Sequence, residues 1–179
     1  MRVRDIMTAH PVHCLPADSA SAVARVMKDE DIGFVPICHS LNGRLLVGVV
    51  TDRDIVLTVV ARGRDAATAR MMEIMTLEPV TCRPGDAVED VLEIMGQRQI
   101  GRLPVVDEDG LLVGIVTLAD IAARGECPFQ TARAMKAVSN LGSTNRARAN
   151  GLPSHPDHAD RDPIARGSLA RQTGNRSTA

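Results

Sequence analysis

The sequence predicts an α+β fold made of two β-α-β-β-α units packed sheet to sheet, followed by a disordered C-terminal tail. Three observations predict it: an ordered internal repeat, apolar residues at helical spacing in each copy, and turn dipeptides between apolar runs. Asp5-Ile6-Met7-Thr8 returns as Glu73-Ile74-Met75-Thr76, and Pro11-Val12-His13-Cys14-Leu15-Pro16 as Pro79-Val80-Thr81-Cys82-Arg83-Pro84. Ile32-Gly33-Phe34-Val35-Pro36 returns as Ile100-Gly101-Arg102-Leu103-Pro104, all at a shift of 68 positions. A turn two residues shorter then carries Leu45 to Thr51 onto Leu111 to Thr117, and Asp54-Ile55 onto Asp120-Ile121.

Each unit opens with a short strand candidate bounded by prolines, Val12 to Leu15 and Val80 to Arg83. Asp86 with Glu89 three residues on has the pattern of a helix capping box, and Asp18 is the cap expected in the first unit. Val88, Val91, Leu92 and Met95 then form one apolar helix face, and Val23, Val26 and Met27 a shorter one. Asn42-Gly43 and Asp109-Gly110 separate the two apolar runs that follow and suit tight hairpin turns. The second run ends at Thr51 or Thr117, where another helix starts, and Gly63 is the expected stop in the first unit. The boundaries read 1–61 for the first unit, 62–70 for a linker and 71–124 for the second unit. A short helical extension at 125–140 is centred on Thr131 to Val138. A unit of about 55 residues buries too little surface to stand comfortably alone, so the two should share a core. From Leu141 to residue 179 the chain turns polar, with Leu141, Leu152, Ile164 and Leu169 as its large apolar residues, a composition that predicts disorder.

Composition narrows the function classes. With no Trp, no Tyr and two Phe, the chain lacks stacking platforms for single-stranded nucleic acid. A formal charge of −1 gives no field to steer it to nucleic acid or membrane. The N-terminus leads into no apolar signal segment, and no apolar run approaches the roughly 20 residues of a membrane span. The expectation is therefore a cytoplasmic protein. Four cysteines match no zinc-binding spacing, and His10 with His13 lacks a third ligand, so no metal is expected. Met7, Met27, Met75 and Met95 recur with the repeat, as core filler would. The sequence contains no G-x-S-x-G, H-E-x-x-H or G-x-x-x-x-G-K, and the protein is read as not an enzyme.

The ordered set D/E-I-M-T, P-V, capped helix, apolar-Pro-apolar and G-x-V-T-x-x-D-I, present twice, resembles the CBS-domain pair, or Bateman module. The likeness covers residues 1 to 124 and is closest to small stand-alone bacterial members of that family. It implies a regulatory module that binds an adenosine ligand, such as AMP, ATP, NAD or S-adenosylmethionine, in clefts between the repeats. It also implies a disc-like homodimer and a downstream protein partner that the residues do not name. No cofactor is required, the nucleotide being a regulatory ligand. In such clefts the Asp of T-x-x-D binds ribose hydroxyls and the Thr lies near ribose or phosphate, here Asp54 with Thr51 and Asp120 with Thr117. Backbone at Val35-Pro36, Leu103-Pro104, Val12-His13 and Val80-Thr81 would line the adenine slot.

Thr-x-x-Asp has an equally good reading as a plain helix cap, and the residues leave both open. The two sites should be unequal, because Arg53 adjoins Asp54 whereas Leu118-Ala119 precedes Asp120. Arg102, standing where the first repeat has Phe34, is a second phosphate candidate. Either arginine reads equally well as an exposed surface residue. An alternative function is a ligand-free dimeric interaction or stress-response protein, redox-responsive through Cys14 and Cys38. The resemblance puts those two cysteines on neighbouring parallel strands, within disulfide reach, while Val106 takes the place of Cys38 in the second repeat. A bridge and two buried thiols both stand open at this point, the second favoured by a reducing compartment.

Overall fold

The computed structural model describes residues 1–40, 44–124 and 127–139. The Asn42-Gly43 turn and the tail from 141 to 179 lie outside the described residues. In chain order the elements are β1 (Thr8–Ala9), α1 (Ala20–Asp29), β2 (Phe34–Cys38), β3 (Leu46–Thr51) and α2 (Asp52–Ile55). They continue with β4 (Thr76–Leu77), α3 (Val88–Arg98), β5 (Arg102–Val106), β6 (Leu112–Thr117), α4 (Leu118–Ala123) and α5 (Pro128–Ser139). One-turn 3₁₀ helices at Val3–Asp5 and Met71–Glu73 lead into β1 and β4, and α2 runs on as a wider π turn over Val56–Val60.

The helices bury the faces their spacing predicts. Val88, Val91, Leu92 and Met95 of α3 are buried, as are Val23 and Met27 of α1. Each such side chain contributes about 1.5–3 kcal/mol relative to exposure. Gly63 takes a positive φ of 63° and ends the α2 turn, its N–H donating to the Val60 carbonyl. Gly110 has φ 79° in the turn between β5 and β6, where Asp107 Oδ1 accepts from the N–H groups of Asp109 and Leu111.

Two expected helix caps are corrected. Asp18 and Asp86 cap nothing; they accept from the backbone N–H of Leu15 (2.8 Å) and Arg83 (2.7 Å) and close the turns ahead of the helices. The first helix is capped by Ser19, whose Oγ accepts from Ala22 N–H, and α3 has Ala87 at its N-cap and no side-chain cap. Glu89 therefore forms no capping box, and its carboxylate instead accepts from the Cys127 thiol. The predicted first strands shrink to single parallel bridges, Cys14 with Ile37 and Cys82 with Val105.

The larger departure concerns how the repeats are assembled. The two sheets have the orders β1-β6-β5 and β2-β3-β4. Thus β1 from the first repeat pairs with the second repeat's β6, Thr8 opposite Ile115, and β4 pairs back with β3, Thr76 opposite Val49. Side chains follow the strands. Val3 and Ile6 are buried in the core of the second repeat, and Ala69 and Met71 in that of the first. Matching anchors hold both segments: Arg2 donates to the Gly85 carbonyl and Arg70 to the Ala17 carbonyl. The stretch 62–70 is therefore more than a connector, since Ala20 and Ser21 N–H donate to the Ala69 and Ala66 carbonyls. Each repeat thus lends its opening segment to the core of the other.

Two glycines permit the exchange. A Cβ on Gly48 would lie 2.8 Å from Met75 Sδ and 2.9 Å from the Thr76 carbonyl oxygen. A Cβ on Gly114 would lie 2.7 Å from Met7 Sδ and 3.1 Å from the Thr8 carbonyl oxygen. The incoming strand needs an open backbone beneath it, and each central strand supplies one. The sheets also meet through a Leu45–Leu111 bridge, with Leu112 N–H donating to the Arg44 carbonyl.

The helix expected near Thr131 to Val138 is α5, which packs on α3 with Thr131 and Ala134 buried. Gly96 of α3 lies against it, a hypothetical Cβ there falling 3.7 Å from Ala134 Cα, an ordinary contact.

Candidate functional site

The exchange brings residues of both repeats around one cleft. Thr51 ends β3 and caps α2, its Oγ1 accepting from Asp54 N–H at 3.1 Å. Asp54 reaches back through Oδ2 to Thr51 N–H (2.9 Å) and to Thr51 Oγ1–H (2.7 Å). Thr117 and Asp120 repeat this box at 3.0, 3.0 and 2.7 Å. Both T-x-x-D motifs are thus complete reciprocal caps, which fix the carboxylate at the helix N-terminus.

A cavity of about 320 Å³ opens beside the first box. The first repeat contributes Phe34, Val49, Thr51 and Asp54. Thr76, Glu78, Pro79 and Val80 approach from the exchanged segment, and Ile100, Gly101, Arg102 and Pro104 from the start of β5. That volume falls at the lower end of the range of small-molecule clefts, about 300–1,000 Å³. A larger groove of about 510 Å³ lies between α3 and α5 and contains none of the candidate ligand-binding residues.

Of the expected site residues, Thr51, Asp54, Val80, Arg102 and Pro104 line the cavity together. Arg53 does not; it is exposed, its N–H donating to the Asp52 carboxylate. The cation of this cleft is Arg102, supplied by the opposite repeat. Val35 and Leu103 are fully buried in the two cores, so only their backbone is available to a ligand. Val12, His13, Pro36, Thr81, Thr117 and Asp120 lie outside this lining. Shifting the lining by the repeat carries it to Thr117 and Asp120, with Phe34 in the place of Arg102 and His10 in that of Glu78. His10 and Glu78 share a positive φ, 51° and 47°, and His10 Nδ1 lies 3.1 Å from Arg44 Nη1. His13 Nε2 is buried without a hydrogen-bond partner among the described residues.

Thr76, Glu78 and Pro79 escaped the sequence reading although they adjoin Val80. Their signal was the repeat itself, since Thr76 closes the second copy of the motif that Thr8 closes in the first.

Cys14 and Cys38 are neighbours, with Cys38 N–H donating to the Cys14 carbonyl at 2.9 Å, on the parallel backbones expected. Both are free thiols and buried. Burial, the Asp18 carboxylate and Cys38 push the Cys14 thiol up to about 11. Burial also raises Cys38 to about 11, against the opposing pull of Arg44. Reactive cysteines need the reverse, a lowered pKa and access.

Two homologous repeats that exchange strands around a ligand-sized cleft define a paired-repeat module. The family model for the CBS domain matches residues 3–61 and 71–125, and the chain belongs to that family as a CBS-domain pair. It is 36% identical over 143 residues to the CBS domain-containing protein YhcV of Bacillus subtilis, covering 80% of this chain and 96% of YhcV. Hypoxic response protein 1 of Mycobacterium tuberculosis is 38% identical over 119 residues, covering 66% of this chain and 81% of its own. The crystal structure of that response protein with two coordinated zinc ions superposes with a TM-score of 0.62 over 69% of this chain and 98% of its own, at 36% identity. The CBS-domain pair of protein MJ0100, in complex with 5′-methylthioadenosine and S-adenosyl-L-methionine, gives a TM-score of 0.62 at 30% identity, covering 70% of this chain and 99% of that one. Among the described residues of the present chain, no group of three or more His, Cys, Asp or Glu is placed to hold a metal ion. Among the same residues, no helix is long and apolar enough to cross a membrane.

Proposed function

We propose that the protein is a regulatory, non-catalytic module of the cytoplasm that senses an adenosine nucleotide in the Thr51–Asp54 cleft. The observation that carries this reading is the convergence of Thr51, Asp54, Arg102 and Pro104 on one cavity from two repeats. Asp54 commits Oδ2 to its cap, and its other oxygen is the acceptor for ribose hydroxyls. The Arg102 guanidinium favours a phosphate. Val80 and Pro104 supply backbone and apolar surface for adenine. The adenosine ligands of the MJ0100 pair support the ligand class. Occupancy would tie the repeats together and alter pairing between two copies of the chain or affinity for a downstream protein. Thermal-shift measurements with AMP, ATP, NAD and S-adenosylmethionine test this. A ligand at 100 times its dissociation constant should add about 2.7 kcal/mol by mass action. An unchanged melting temperature with all four at millimolar concentration contradicts it.

A second reading, an interaction protein whose surface is its function, is favoured by one feature. Val56, Leu57 and Val60 are 53%, 50% and 65% exposed together on the turn that continues α2. Neighbouring exposed apolar side chains of this kind suit a partner surface. The similarity to a hypoxic response protein agrees with a role in stress.

A further inference from the structure

We propose that the Thr51–Asp54 cleft selects adenosyl ligands carrying no more than one phosphate, and that Glu78 sets the limit. The inference rests on the reading of this cleft as an adenosine site and adds which members of that class it accepts. Its lining holds three ionisable side chains, Asp54, Glu78 and Arg102; two carboxylates against one guanidinium leave a net charge of −1. The remaining lining is apolar or hydroxyl-bearing, so nothing else in it neutralises an anion. A single phosphate can be met by Arg102. A second or third has no cation left in the cleft and approaches carboxylates.

The backbone fixes where these charges sit. Glu78 follows directly on β4, whose Leu77 and Thr76 are held opposite Gly48 and Val49 of β3. Arg102 begins β5 and is paired with Thr117. Arg53, the cation adjacent in sequence, is exposed and outside the lining. The repeat provides the contrast: His10 occupies the position of Glu78 in the other half, and its ring lies against Arg44 rather than adding a carboxylate. Glu78 is thus a specificity residue peculiar to this cleft. Glu78 and Arg102 are exposed, so repulsion here is screened by salt, which gives the effect a signature that packing changes lack.

The test is titration calorimetry of 5′-methylthioadenosine, AMP, ADP and ATP, without magnesium, at low and at physiological salt. Asp120→Ala serves as background so that only this cleft is read, with and without Glu78→Gln. AMP and 5′-methylthioadenosine should bind, ATP should bind at least ten-fold more weakly than AMP, and higher salt should narrow that gap. Glu78→Gln should tighten ATP several-fold and leave 5′-methylthioadenosine unchanged. ATP binding as tightly as AMP, or an AMP-to-ATP ratio indifferent to Glu78→Gln, overturns the inference while leaving the adenosine site standing. Binding of none of the four removes the site and the inference together.

Discussion

The two repeats share a sequence pattern and a fold yet present different surfaces. On the second repeat α5 closes the outer helix face, and Leu92 of α3 and Leu118 of α4 are buried beside Ala134. The corresponding positions of the first repeat are Ala24 and Asp52, both exposed, while Val56, Leu57 and Val60 stand bare nearby. Ala122 and Ala123 stand in the places of Val56 and Leu57, and Glu126 in that of Val60. The clefts differ in the same way. One gathers Arg102 and Glu78 beside its Thr-Asp box, whereas the repeat puts Phe34 and His10 in those places at the other. Duplication preserved what the backbone needs, namely the Thr-x-x-Asp caps and the glycines under the exchanged strands. Side chains outside those duties diverged.

The sharpest way to break this comparison is in the helix faces. Leu92→Ala should cost about 2–5 kcal/mol in urea unfolding, as expected for a large-to-small change in a closed core. Ala24→Leu, at the matching position of α1, should stay within about 0.5 kcal/mol of wild type. Similar small effects at both positions would mean that α5 does not seal the second repeat.

The exchange comes next. Gly48→Val and Gly114→Val should each cost about 1–3 kcal/mol, because the new side chain meets a backbone carbonyl that has little room to yield. Equal losses would support two equivalent exchanged segments. Loss at one glycine alone would show that only that strand is held this tightly.

A smaller and symmetric effect belongs to the caps. Thr51→Ala and Thr117→Ala should each lose about 1 kcal/mol, since both threonines make the same reciprocal hydrogen bonds. A loss at Thr51 several times that at Thr117 would mean the boxes are not equivalent.

Much of this architecture was legible in the sequence because it depends on local chemistry. The apolar stripe of α3, the Thr-x-x-Asp boxes, Gly63 and the Asp109-Gly110 turn each state their own conformation. The helix at 128–139 was visible as apolar residues beyond the second unit. What escaped was assignment between equals. Asp5-Ile6-Met7-Thr8 advertises burial, but with two near-identical cores nothing local says that Val3 and Ile6 enter the far one. The caps misread at Asp18 and Asp86 failed for a related reason. An Asx oxygen can satisfy a turn N–H as well as a helix N–H, and the choice depends on chain geometry. Arg102 was picked out and Arg53 favoured beside it, because adjacency in sequence is visible and adjacency across exchanged strands is not. Glu78 remained unread for the same cause.

The central claim is that a nucleotide occupies the Thr51–Asp54 cleft and that this cleft is the stronger of the two. Calorimetric titration of AMP into wild type, Asp54→Ala and Asp120→Ala tests it most directly, with melting curves to subtract the shared cap loss. The account predicts that Asp54→Ala weakens the tightest binding event at least ten-fold, about 1.4 kcal/mol, while Asp120→Ala leaves that event within about two-fold. Equal losses, or a larger loss at Asp120, would contradict it.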